Sequence, residues 1–201
     1  MDREPYAFQF VAGHLGLDFV NTVGYRADAA KRTDHLQRAE DVYRWANQAE
    51  LPDAAALSSG PRLGAAALRQ IRVVREQLFA VFHAIATSQP IPADTLARIG
   101  NALHECRARQ RLSVEGREVR WAWRANARAA DYLLYPVLSA SVDLLTSSSR
   151  ALVRQCEDAH CGWLFLDRSN ARKRRWCSMA DCGNRNKVRN FYRREVGRTR
   201  T

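Results

Sequence analysis

The chain has 201 residues, 46% of them hydrophobic and 26% charged, with a formal net charge of +11. That apolar share supports a packed core and argues against global disorder. No run of about 18 apolar residues offers a transmembrane helix. The length suits one domain of about 100–200 residues plus a small module. Charge is uneven: residues 151–201 carry 13 Lys and Arg against 5 Asp and Glu, so +8 of the +11 sits in the last quarter. The N-terminus begins with two acids and one arginine and lacks the basic stretch of a secretory signal, so a cytoplasmic protein is expected.

Residues 8–25 read as an extended entry followed by a helix from about Leu15 to Val23, with Leu15, Phe19 and Val23 on one face. Asp34 is placed to cap a helix over 35–50 that buries Leu36, Val42, Trp45 and Ala49. Residues 51–60 hold a proline, two serines and a glycine and read as a connector. The longest helical pattern covers 62–88, where Leu68, Ile71, Val74, Leu78, Val81, Phe82 and Ile85 form one apolar stripe. Pro90 and Pro92 break it, and Asp94 starts another helix to about Arg109. The period then changes to two. Leu112, Val114, Val119, Trp121 and Trp123 alternate around Glu115-Gly116, the pattern of a β-hairpin. Residues 127–147 return to helix, with Pro136 expected to kink or split it.

Five cysteines are present, and Cys156, Cys161, Cys177 and Cys182 fall within 27 residues. Their spacing, two x4 pairs around a 15-residue spacer, matches a structural tetrahedral site for Zn²⁺. In a reducing compartment such a cluster favours metal over the alternatives, two disulfides or four unligated thiols. His160 beside Cys161 could replace one thiol, but four thiols already complete the site. The spacer reads as a strand over 162–167, a turn at 168–170 and a return from Lys173 to Trp176. A helix follows from about Asn184 to Glu195. The order is knuckle, hairpin, knuckle, helix, and so small a module draws much of its folding free energy from the metal. Cys106, far upstream, reads as an ordinary thiol on a helix.

The run Cys182-Gly183-Asn184-Arg185, with the other three cysteines, Gly162 to Asp167, Arg175-Trp176 and Lys187, resembles the CGNR zinc finger. The segment Val11-Ala12-Gly13 through Leu17-Asp18-Phe19-Val20-Asn21-Thr22-Val23 resembles the start of the ABATE domain, which commonly precedes that finger in bacterial proteins. The resemblance implies a regulator of transcription linked to stress. The expected fold is therefore mainly α with a small β-hairpin. It divides into a helical ABATE-like domain over 1–149, expected to sense a ligand or mediate association, and a treble-clef-like finger over 150–201 made of a β-hairpin plus a helix.

The basic residues expected to meet nucleic acid are Arg172, Lys173, Arg174 and Arg175 on the hairpin and Arg185, Lys187, Arg189, Arg193 and Arg194 on the helix. Guanidinium groups bind phosphates bidentately and can read guanine edges in a major groove. Asn184, Arg185 and Asn186 sit where side chains either reach base edges or brace the knuckle. Of Phe191 and Tyr192, one is expected to pack on the hairpin and the other to reach the surface. DNA is the first partner expected; RNA or an acidic protein is the alternative, and a homodimer would suit a palindromic site. His14, Asp18 and Asn21 lie three and four residues apart and could form a small ligand site, or simply anchor the first helix. Trp45, Trp121 and Trp123 either line a pocket or fill the core, and core is the preferred reading. No nucleophile–base pair, phosphate loop or HExxH pattern occurs, so no enzyme is expected.

Overall fold

A computed structural model describes residues 6–52, 54–59 and 62–198, with the side chains of residues 56, 58, 59, 194 and 196–198 outside the description. The chain runs α1 (Leu15–Val20), β1 (Val23–Gly24), β2 (Thr33–Asp34), α2 (Ala39–Gln48), α3 (Ala54–Ser59), α4 (Ala65–Ala86), α5 (Ala93–Ala108), β3 (Gln110–Glu115), β4 (Glu118–Trp123), α6 (Asp131–Thr146), β5 (Val153–Gln155), β6 (Leu164–Leu166) and α7 (Asn184–Arg198). The strands form three separate antiparallel ribbons, β1–β2, β3–β4 and β5–β6. This is the helical domain with small hairpins and a hairpin-plus-helix finger that the sequence implies.

Several boundaries differ from the sequence reading, each for a local reason. α1 stops at Val20 where the Thr22 amide and Oγ1 both donate to the Phe19 carbonyl, three residues back, in place of a further α-helical bond. Val23 then enters a strand rather than extending the helix. Asp34 is not a helix cap. It lies in β2 and takes the Arg75 guanidinium bidentately at 2.7 and 2.7 Å. The α2 entrance is instead closed by Asp41, whose Oδ2 accepts the Gln37 and Arg38 amides. The connector at 51–60 contains the short helix α3. α4 ends where Ser88 turns left-handed at φ 54°, just ahead of the two prolines. Pro136 lies inside α6 without dividing it, at the cost of one ladder bond, because a proline has no amide to donate to the Tyr132 carbonyl.

One continuous set of buried side chains runs through the molecule, from Leu17, Phe19, Trp45, Ile71, Phe82, Leu133 and Leu138 to Val153, Leu164, Phe165 and Cys177. α4 is central, packed against α1, α5 and α6 and also against β5 and β6. Gly16 permits the α1–α6 contact, since a Cβ there would collide with Ser141 Oγ. Trp45 is 1% exposed, as expected of core. Trp121 is not core: it is 48% exposed on the β3–β4 ribbon, with the Arg107 guanidinium 3.2 Å above its ring. Trp123 packs edgewise on Tyr135, 6.0 Å between centroids. Leu112, Val114 and Val119 stand exposed beside Trp121, because nothing in the described chain covers that face.

Among the described residues, no helix is long and apolar enough to cross a membrane.

Candidate metal centre and basic helix

The four cysteines converge although they come from two loops. Cys156 follows β5 and Cys161 precedes β6, so the β5–β6 ribbon brings its own two ends together. Cys177 precedes, and Cys182 lies within, a wide helical turn over Met179–Gly183 in which the Gly183 amide donates to the Ser178 carbonyl, five residues back. The second hairpin strand expected at Lys173–Trp176 does not form. β6 instead pairs with β5, and the 173–176 segment is tied by Glu157 N to Arg175 O.

All four Sγ atoms lie within 4.8 Å of one another, with Cys161–Cys177 at 3.6 Å and Cys177–Cys182 at 3.5 Å. A tetrahedral Zn²⁺ with sulfur ligands at 2.3 Å sets sulfurs about 3.8 Å apart. Every cysteine is buried, and four thiolates this close repel one another unless a cation sits among them. The donor set and spacing therefore fit one structural zinc ion, held by Cys156, Cys161, Cys177 and Cys182. His160 stands outside the cluster, its Nδ1 2.7 Å from Asp28. Cys106 is separate, buried in α5 with its Sγ 3.6 Å from Asp131; burial, with the Asp131 carboxylate, pushes that thiol up to about 12.

The finest detail of the centre lies around its ligands. Arg185 donates from Nη2 to Cys182 Sγ at 2.9 Å, and its Nε lies 3.7 Å from Asp158. Asp158, 2% exposed, accepts from the His160 amide and from Asn186 Nδ2 at 2.8 Å, with Arg189 at 3.8 Å. Burial pulls the Arg185 guanidinium down, but Cys182 and Asp158 beside it outweigh that and hold it above its usual value. This carboxylate thus joins the first knuckle to the first turns of α7. Sequence reasoning did not single out Asp158; its one signal was an acid lying between two ligand cysteines. Asn184 Nδ2 bonds the Ala180 carbonyl at 3.0 Å, so both asparagines at the helix start brace the knuckle turn.

The basic residues separate into two groups. Arg174 is spent on the fold: it bonds the Trp176 and Cys177 carbonyls within the finger and the Val11 carbonyl of the N-terminal segment, and stacks 4.4 Å over Phe165. Arg185 and Arg189 face Asp158. Arg172, Lys173, Arg175, Lys187 and Arg193 are exposed, Arg175 beside Glu157. The Arg194 side chain lies outside the described residues. Phe191 and Tyr192 are both exposed, at 61% and 64%, and neither packs on the hairpin.

His14, Asp18 and Asn21 share α1 and its flanks, and their polar atoms are turned to the fold. His14 Nδ1 accepts the Gly16 amide at the helix start, and burial keeps the imidazole's pKa low, which favours the neutral acceptor. Asp18 accepts the Ala12 amide at 2.9 Å, and burial pushes its carboxyl up to about 6. Asn21 pairs with the Leu164 backbone through both ends of its amide, at 2.8 and 3.0 Å. More bonds bind the two regions: Trp163 Nε1 to the Val23 carbonyl, Arg26 N to the Cys161 carbonyl, and Leu166 N to the Ala12 carbonyl. Gly162 adopts φ +68° against this junction, where a Cβ would meet Ala27 N at 2.9 Å.

A helical body joined to a four-cysteine finger defines a zinc-binding protein of two parts. Residues 13–148 match the ABATE family, described as "Putative stress-induced transcription regulator", and residues 153–195 match the CGNR zinc finger. The chain belongs to the ABATE family and carries a CGNR zinc finger. Neither is an enzyme family. Comparison with curated proteins gives no match.

Proposed function

We propose that the protein is a zinc-dependent, DNA-binding regulator of transcription acting in the cytoplasm, with the finger (150–201) on DNA and the helical part (1–149) receiving a signal. The observation that carries this reading is α7. Its first turns are fastened to the knuckles by Arg185, Asn186 and Arg189, while Lys187, Val188, Asn190, Phe191, Tyr192 and Arg193 stand exposed. A helix held rigidly at one end and bare beyond it suits a groove about 12 Å wide. Its cations would contact phosphate, which positions the protein without carrying sequence information. Arg172, Lys173 and Arg175 add exposed charge on the spacer. Two copies would suit a palindromic site.

The second reading is RNA binding, favoured by the exposed Phe191 and Tyr192, since unpaired bases stack on aromatic rings. An acidic protein partner would use the same cations.

The test is fluorescence anisotropy of the zinc-loaded chain on duplex DNA from upstream of its own gene, titrated in salt against random duplex and structured RNA. Arg185 and Arg189 are unsuited to mutation here because they support the zinc site. Lys187→Ala with Arg193→Ala is expected to weaken binding without loss of zinc. It should also flatten the slope of log K on log salt by roughly 0.9 per phosphate contact removed. Preference for structured RNA, or binding untouched by the double variant, would refute the DNA reading.

A further inference from the structure

A cavity of about 240 Å³ opens between the helical body and the knuckles. Three parts of the chain wall it: Tyr6 from the N-terminal segment, Tyr25 and His35 from either side of the β1–β2 ribbon, and Trp163, Asp181 and Arg185 from the finger. Three of the zinc-site cysteines form its floor. His35 stacks flat on Tyr6, 3.5 Å between centroids. Trp163 is fixed by its bond to the Val23 carbonyl. Tyr25 holds φ 51°, an uncommon backbone for a bulky residue, yet remains 40% exposed. Its strain is not offset by burial in the core; it sets the phenol on the cavity wall.

The electrostatics choose the class of occupant. Four thiolates around one Zn²⁺ leave two negative charges at the floor. Arg185 is already engaged by Cys182 Sγ and lies beside Asp158. Asp181 accepts from Ser178 Oγ at 2.7 Å, a neutral donor. The balance at the cavity is negative, and its walls present aromatic rings. Aromatic faces with a carboxylate attract an organic cation, and a cavity of this size is smaller than the 300–1,000 Å³ or so of drug-sized sites.

We propose that this cavity binds a small organic ammonium ion between Tyr6, Tyr25 and Trp163, with Asp181 as its counter-ion. Because the walls belong to both the helical part and the finger, an occupant would touch both at the root of α7. Binding here goes beyond the regulator reading and is tested without nucleic acid, so either can fail alone.

The experiment is calorimetric titration of the zinc-loaded full chain with three probes of one framework: phenethylamine, 2-phenylethanol and phenylacetate. Saturable binding of the amine is expected, about tenfold or more tighter than either of the others. Asp181→Asn, which keeps the Ser178 bond, should weaken it by about tenfold with zinc content unchanged. Tyr25→Asn, tolerant of a left-handed backbone, should weaken it as well, again with zinc content unchanged. Absence of saturable amine binding, equal affinity for the three probes, or full affinity in both variants would overturn the proposal.

Discussion

At the scale of single residues, a buried carboxyl that accepts hydrogen bonds is pulled two ways. Asp18 accepts the Ala12 and His14 amides, which favour its anion, but burial dominates and raises it to about 6 from a usual value of 3.8. The sign follows from proton binding. Between those two values the folded state holds more protons than the unfolded state, so this group's contribution to stability falls as pH rises through the window. The full difference amounts to about 3 kcal/mol. Asp18→Asn does not titrate. Urea unfolding of both chains should therefore show the native protein losing ground to the variant from pH 4 to pH 7, and a constant difference would contradict the assignment. Asn21 has the opposite character, with both amide atoms satisfied by one backbone unit of β6.

At the scale of elements, α7 gains its orientation from outside itself. None of its described side chains is buried, and its exposed Val188, Phe191 and Tyr192 lie among cations. Its root is held by Asp158, a buried acid on the opposite knuckle. Partners that orient metal ligands commonly alter metal affinity by 10–100-fold when removed. Asp158→Asn keeps the shape and removes the charge facing Arg185 and Arg189. Competition with a chromogenic chelator should show zinc affinity reduced by about tenfold or more. An unchanged affinity would mean that Asp158 serves only the helix, not the centre.

At the scale of the whole molecule, the finger is not a pendant. β5 and β6 pack on α4, β6 meets α1, and Asn21, Trp163 and Leu166 bond across 140 residues or more of chain. Removing zinc therefore takes support from the shared core as well as from the knuckles. Chelation should lower the thermal midpoint of the helical signal in circular dichroism, with tryptophan emission moving in the same transition. A helical transition that ignores the chelator would show two independent parts.

The metal centre was legible in the sequence because tetrahedral zinc demands four thiols at short spacings, and no tertiary information is needed to see Cys156, Cys161, Cys177 and Cys182. The long helices α4 and α5 and the β3–β4 ribbon were legible because their periodicity is local. What contacts what was not. Asp34 looked like a cap because a cap depends on neighbours in sequence; it does accept the Leu36 amide, but its carboxylate is also clamped by Arg75, 41 residues away, where no helix begins. Arg174 looked like a surface cation because charge is visible in sequence, while the Val11 carbonyl it bonds, 163 residues away, is brought to it only by folding. Trp121 looked like core because alternation marks a face without saying whether anything covers it. By itself the sequence determined the zinc ligands, the helical class and the basic tail, all of which rest on residue type and local spacing. The tertiary structure alone decided which cations remain available, which strand pairs with β6, and that the finger and the helical body share one core, because each depends on contacts between residues far apart in the chain.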